Sequence, residues 1–134
     1  MVLFVYCPHP DDSWVALMRK GKPIVRRAVR KGTGGRGDIL KTIDSILVAA
    51  DSQPSNLRGI VVCTGPGHFT YLRTSIAIAN TLGWALQIPV LGLEVQSQKE
   101  FIAAGLVGLS KMKAFIPVVP AYGKEPNITK SPKS

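Results

Sequence analysis

A chain of 134 residues, 46% hydrophobic, 19% charged and carrying a net +9, has room for one domain with its own core and not for two full-sized ones. Its longest apolar runs, at 60–63 and 76–79, fall far short of a membrane span, and Met1 leads into the apolar run 2–6 without the basic flank or cleavage site of a signal peptide. Two cysteines (Cys7, Cys63) and two histidines (His9, His68) exclude a disulfide framework and speak against a zinc site, which leaves buried thiols in a reducing cytoplasm as the expectation.

Residues 2–6 (Val-Leu-Phe-Val-Tyr) predict a central first strand, broken by Pro8, Pro10 and the Asp11–Asp12 pair. A second strand at 14–18 and a third at 23–29, joined through Gly21-Lys22-Pro23, predict an antiparallel meander because the connections are so short. A glycine-rich loop at 33–37 follows. Asp38 is placed to N-cap a helix running to about residue 50. There Ile39, Ile43, Ile46, Leu47 and Ala50 form one apolar stripe, widened by Leu40 and Val48. The segment 53–56 (Gln-Pro-Ser-Asn) ends it. Residues 59–63 are continuously apolar, as in a strand covered on both faces. Gly65-Pro66-Gly67 then turns the chain into a helix of about 70–86, a fifth strand is predicted at 89–93, and a third helix at about 96–106.

The predicted order is β-β-β-α-β-α-β-α. A meander followed by right-handed crossovers gives a mixed five-strand sheet with the first and fourth strands adjacent and parallel. That is the α/β ribonuclease H-like arrangement of the actin, sugar kinase and Hsp70 superfamily, present here as one lobe over residues 1–114. Residues 115–134 are proline-rich and basic, and predict an extended tail whose last residues are disordered.

Eight basic residues lie between Arg19 and Arg36 with no Asp or Glu among them: Arg19, Lys20, Lys22, Arg26, Arg27, Arg30, Lys31 and Arg36. Such an island can steer nucleic acid or an acidic protein face, or can guard a hairpin edge against aggregation. No aromatic residue interleaves it, so base stacking has no support, and charge alone leaves both readings open.

The most specific local feature is the loop 64–73, Thr-Gly-Pro-Gly-His-Phe-Thr-Tyr-Leu-Arg, between a buried strand and a helix. Glycines there let N–H groups approach an anion at a helix N-terminus, with Arg73 in reach; they also simply allow a tight turn. The candidate phosphate-binding set is Gly65, Pro66, Gly67, His68, Phe69, Thr70 and Arg73, although the pattern is neither a P-loop nor a dinucleotide fingerprint. A two-metal nuclease on such a sheet needs a carboxylate on the first strand, which has none. Asp38, Asp44 and Asp51 are assigned to the first helix and Glu94 follows the fifth strand, so no metal and no cofactor are expected.

The loop residues Gly65-Pro66-Gly67-His68-Phe69-Thr70-Tyr71-Leu72-Arg73 resemble the Gly-Pro-Gly-Ser-Phe-Thr-Gly-Leu-Arg signature of the TsaB family, which serves threonylcarbamoyladenosine synthesis in bacterial tRNA. Residues 3–6, 15–25, 39–50, 57–62 and 88–93 are similar to that family's first domain, and 120–126 to its carboxyl-terminal Pro-x-Tyr-x-Arg segment. Two departures stand out. The family's Ile-Asp-Thr-Ser at the end of the first strand is replaced by Val5-Tyr6-Cys7-Pro8-His9, and most of its second domain is missing between Leu109 and Phe115. Both changes argue against ATP chemistry in this chain.

The resemblance implies a catalytically inert scaffold that pairs with TsaD, the transferase paralogue, through the two helices of the first domain, or forms a homodimer when alone. Carried onto this sequence, the interface residues on the first helix are Leu40, Asp44, Leu47 and Val48. Those on the second are Ala77, Ile78, Thr81, Leu82 and Ala85. The second helix is also apolar around much of its circumference, through residues such as Ile76, Ile78 and Trp84, more than one sheet face requires. Direct tRNA contact through Arg26, Arg27, Arg30 and Lys31 is a compatible addition. The alternative reading is a phosphate-, nucleotide- or nucleic-acid-binding protein of the same fold.

Overall fold

In the computed structural model the described residues are 1–29, 36–112 and 118. Strands β1 (Val2–His9), β2 (Asp12–Arg19), β3 (Lys22–Ala28), β4 (Gly59–Gly65) and β5 (Val90–Glu94) form one sheet in the order β3-β2-β1-β4-β5. β1 runs antiparallel to β2, with Phe4 opposite Ala16, and parallel to β4, with Phe4 beside Val61. β4 and β5 are parallel. The central strands are enclosed on both faces, so β4 reads as an unbroken buried run, whereas β3 is an edge strand exposed at all but Val25.

Helices α1 (Arg36–Ala49) and α2 (Phe69–Leu86) pack together on the sheet face that carries Leu3, Val5 and Val62. Helix α3 (Gln98–Leu109) covers the opposite face, where Gly105 meets Phe4 and Val61. There Phe101 is fully buried, edge-on to Phe4 at 5.6 Å and 5.3 Å from Tyr6, and Tyr6 stacks on Trp14 at 5.2 Å. Aromatic pairs in these geometries gain beyond their buried area. The five-strand mixed sheet with three helices is the expected ribonuclease H-like lobe.

Several boundaries differ from the pattern reading. β1 continues through Cys7 and Pro8 to His9, because its pairing with β2 is irregular between Tyr6 and His9 and a proline there removes no ladder bond. α1 begins at Arg36, so Asp38 lies in its first turn and is not the N-cap. Asp51 lies just beyond α1 at φ 53°. α3 starts later and runs longer than its pattern suggests: Ser97 caps it by accepting from the Glu100 N–H at 3.1 Å, while the Glu100 carboxylate accepts from the Gln96 N–H at 2.9 Å. Residues 33–35 of the glycine-rich loop, and the tail apart from Val118, lie outside the described residues.

Candidate functional site

The loop between β4 and α2 is built against the end of β1. Gly65 has φ 139° and precedes a cis bond to Pro66. Gly67 passes so close to β1 that a Cβ there would lie 2.5 Å from the Pro8 carbonyl oxygen. Beside it the His68 N–H donates to that same carbonyl at 2.6 Å. One N–H donor of this loop is therefore engaged within the chain.

Arg73 faces elsewhere. Its guanidinium lies 5.6 Å from the Phe69 ring centroid, and Phe69, Thr70 and Arg73 all border the space between α1 and α2. The structure thus divides the anticipated phosphate set: Gly67 and His68 meet Pro8 of β1, Gly65 pairs with Glu94 of β5, and Phe69, Thr70 and Arg73 border the groove between α1 and α2.

Between the two helices runs a groove of about 510 Å³, bordered by Leu40 of α1 and by Phe69, Thr70, Arg73, Thr74, Ala77, Ile78, Thr81 and Leu82 of α2. Two of its three threonine hydroxyls bond to the helix backbone: Thr74 donates to the Thr70 carbonyl at 2.9 Å and Thr81 to the Ala77 carbonyl at 2.8 Å. With their polar atoms satisfied by the helix backbone, these threonines add little polarity to the groove.

Of the anticipated interface residues, Leu40, Asp44, Val48, Ala77, Thr81 and Ala85 are exposed and Leu82 is half-buried. Leu47 and Ile78 differ from these. At 3% and 6% exposure both belong to the protein's own core, and Ile78 reaches only the groove floor. An apolar side chain enclosed by its own chain needs no partner to cover it.

Trp84 was absent from the anticipated set. It is 65% exposed, and its spacing of seven from Ala77 and three from Thr81 continues the exposed stripe of α2. Four of the six large exposed hydrophobic residues, Leu40, Val48, Phe69 and Trp84, belong to α1 and α2. That concentration marks this layer as the unusual surface among the described residues.

The basic island is also divided. Arg26 and Arg27 are successive residues of β3 and point to opposite faces. Arg26 stacks over Trp14, with its guanidinium carbon 4.2 Å from the ring centroid, and donates to Gln98 Oε1 at 2.9 Å. Arg27 donates to the Ser45 hydroxyl at 3.0 Å. Arg30 and Lys31 lie outside the described residues.

Gln98 is a junction that no local pattern marks. Its Oε1 also accepts from Trp14 Nε1 at 3.1 Å, and its Nε2 donates to Asp12 Oδ1 at 2.9 Å.

Both cysteines are free and buried. Burial pushes the Cys7 thiol up to about 12 and raises that of Cys63, so neither is a ready nucleophile at neutral pH. Among the described residues no group of three or more His, Cys, Asp or Glu is placed to hold a metal, and no helix is long and apolar enough to cross a membrane.

A family model described as TsaD, tRNA N6-adenosine threonylcarbamoyltransferase, matches residues 36–114, more than half of the chain. The tRNA threonylcarbamoyladenosine biosynthesis protein TsaB of Bacillus subtilis is 39% identical over 51 residues, covering 38% of this chain and 22% of that protein. Its namesake from Buchnera aphidicola is 37% identical over 59 residues, covering 44% and 28%. Two solved structures from Pseudomonas aeruginosa share the fold. One, described as an uncharacterized protein with similarity to peptidase YeaZ, has a TM-score of 0.60 at 26% identity and covers 69% of this chain and 42% of its own. The other, YeaZ, has a TM-score of 0.63 at 24% identity and covers 78% and 49%. The matches thus span 22% to 28% of the curated relatives and less than half of either solved chain. The two curated proteins that it resembles are named TsaB, and the chain belongs to the family that this model describes.

Proposed function

We propose that this chain is a non-catalytic TsaB-type subunit that docks onto a TsaD-type transferase and so supports threonylcarbamoyladenosine modification of tRNA. The observation that carries the reading is the α1–α2 groove, bordered by exposed Leu40 and Phe69 and uncovered among the described residues, with exposed Trp84 farther along α2. Burying such side chains is worth about 25 cal/mol per Å² of apolar surface, and a tryptophan at an interface centre commonly dominates binding. The absence of catalytic chemistry is supported by the His68 N–H engaged with Pro8, by two thiols raised by burial, and by Tyr6-Cys7 where the family carries Asp-Thr. The test is co-purification of the full chain with a TsaD-type transferase from the same cell. A folded sample that forms no complex at micromolar concentration overturns the assignment. In the transferase's absence the same groove is expected to join two copies of this chain.

Contact with tRNA belongs to the same proposal, and extends beyond Arg26, Arg27, Arg30 and Lys31 to further basic residues. Arg19, Lys20 and Lys22 cluster at the exposed β2–β3 turn, whereas Arg26 and Arg27 are held by Trp14, Gln98 and Ser45. Replacing those three turn residues by alanine should flatten the salt dependence of tRNA binding by about 0.9 log unit per lost phosphate contact. An unchanged slope removes the contact.

A further inference from the structure

A second feature of α2, independent of the docking groove, holds Val118 by its backbone. The Asn80 side chain donates from Nδ2 to the Val118 carbonyl at 2.9 Å and accepts the Val118 N–H on Oδ1 at 2.9 Å. One side-chain amide thus offers the donor and acceptor that an adjoining strand would offer. Such pairing reads the main chain of its occupant and not its side chain.

The side chain of Val118 has its own seat. A Cβ at Gly92 of β5 would lie 2.4 Å from Val118 Cγ1 and 2.7 Å from Thr64 Cγ2, so the space that the valine uses exists only because residue 92 is glycine. Val118 is half-buried and packs against the core, although 38 residues separate it from Asn80.

We infer that Asn80, Gly92 and Thr64 form a docking notch that pairs with the main chain of one residue and seats a small β-branched side chain, and that its occupant is Val118 of the same chain. Thr64 and Gly92 form the wall, on β4 and β5, and Asn80 closes the notch from α2. Asn80 lies one residue from Thr81 of the groove, so α2 serves two surfaces without sharing a residue between them.

Amide hydrogen exchange at Val118, followed by NMR on the full chain, tests the inference. In the native protein this amide should be protected. Asn80→Ala should accelerate its exchange by roughly five- to tenfold, the equivalent of one lost hydrogen bond, while Val61 and Val62 amides in β4 stay protected and report an intact fold. Gly92→Ala should accelerate it comparably by closing the seat. Equal exchange at Val118 in the native protein and in Asn80→Ala overturns the notch. Protection that rises with protein concentration overturns the assignment of Val118 from the same chain, because a second copy would then be the donor.

Discussion

The His68 N–H donates to the Pro8 carbonyl across 2.6 Å, tying the start of α2 to the end of β1. Gly67 makes that approach feasible, since any Cβ would meet the Pro8 backbone at 2.5 Å and backbone cannot rotate aside. Gly67→Ala should therefore cost about 1–3 kcal/mol, the usual penalty for overpacking, seen as a lower urea midpoint with an unchanged slope. The same bond occupies one of the loop's N–H donors. Millimolar ADP or inorganic phosphate should accordingly leave the Tm where it is, and a clear rise would show an anion site in this loop.

Cys7 is fully buried, and desolvation raises its thiol to about 12 from an ordinary 9. Between these values the unfolded chain has released the proton while the folded chain still holds it. The unfolded state then binds fewer protons, so unfolding free energy falls as pH rises from 9 toward 12. Below pH 9 the two states are equally protonated at this thiol and it contributes no slope. Urea titrations across this range should show the decline, and Cys7→Ala should reduce it. Thiol reagents at neutral pH should label neither Cys7 nor Cys63 until urea unfolds the protein.

Gln98 joins α3 to the hairpin by holding Trp14 Nε1, Arg26 and Asp12 at once. Trp14 is 3% exposed, so Gln98→Ala leaves its indole N–H buried without an acceptor. The expected loss is about 1–3 kcal/mol by chemical denaturation. Gln98→Glu retains an acceptor for Trp14 and Arg26 but turns a second carboxylate toward Asp12, and should fall between the two.

The fold was legible where apolar periodicity has a phase. Ile39, Ile43, Ile46 and Leu47 were placed on one stripe of α1, and all four are buried. The parallel pairing of β1 with β4 followed from connection lengths and was found. α2 was different. Being apolar nearly all round, its sequence does not say which side meets the sheet, so buried Ile78 and exposed Ala77 could not be told apart. Leu47 lies on the inner side of the anticipated stripe of Leu40, Asp44, Leu47 and Val48 and is 3% exposed, a difference that spacing alone does not show. Trp84 was visible as an apolar residue, but only exposure distinguishes an anchor from a core residue. The Gln98 junction and the Asn80–Val118 pairing join residues far apart in sequence, and no local pattern encodes them.

The central claim is that exposed apolar residues of α1 and α2 await a TsaD-type partner. Its most direct test is titration of that transferase, from the same cell, with the full native chain and with Trp84→Ala. Because Trp84 is 65% exposed, the substitution should leave the Tm of the isolated chain nearly unchanged. The native chain should bind at micromolar concentration or tighter, and Trp84→Ala should weaken binding by roughly thirtyfold, as for an interface anchor worth about 2 kcal/mol. A folded native chain that does not bind, or affinity equal to the native chain's in both Trp84→Ala and the groove variant Ala77→Glu, would contradict it.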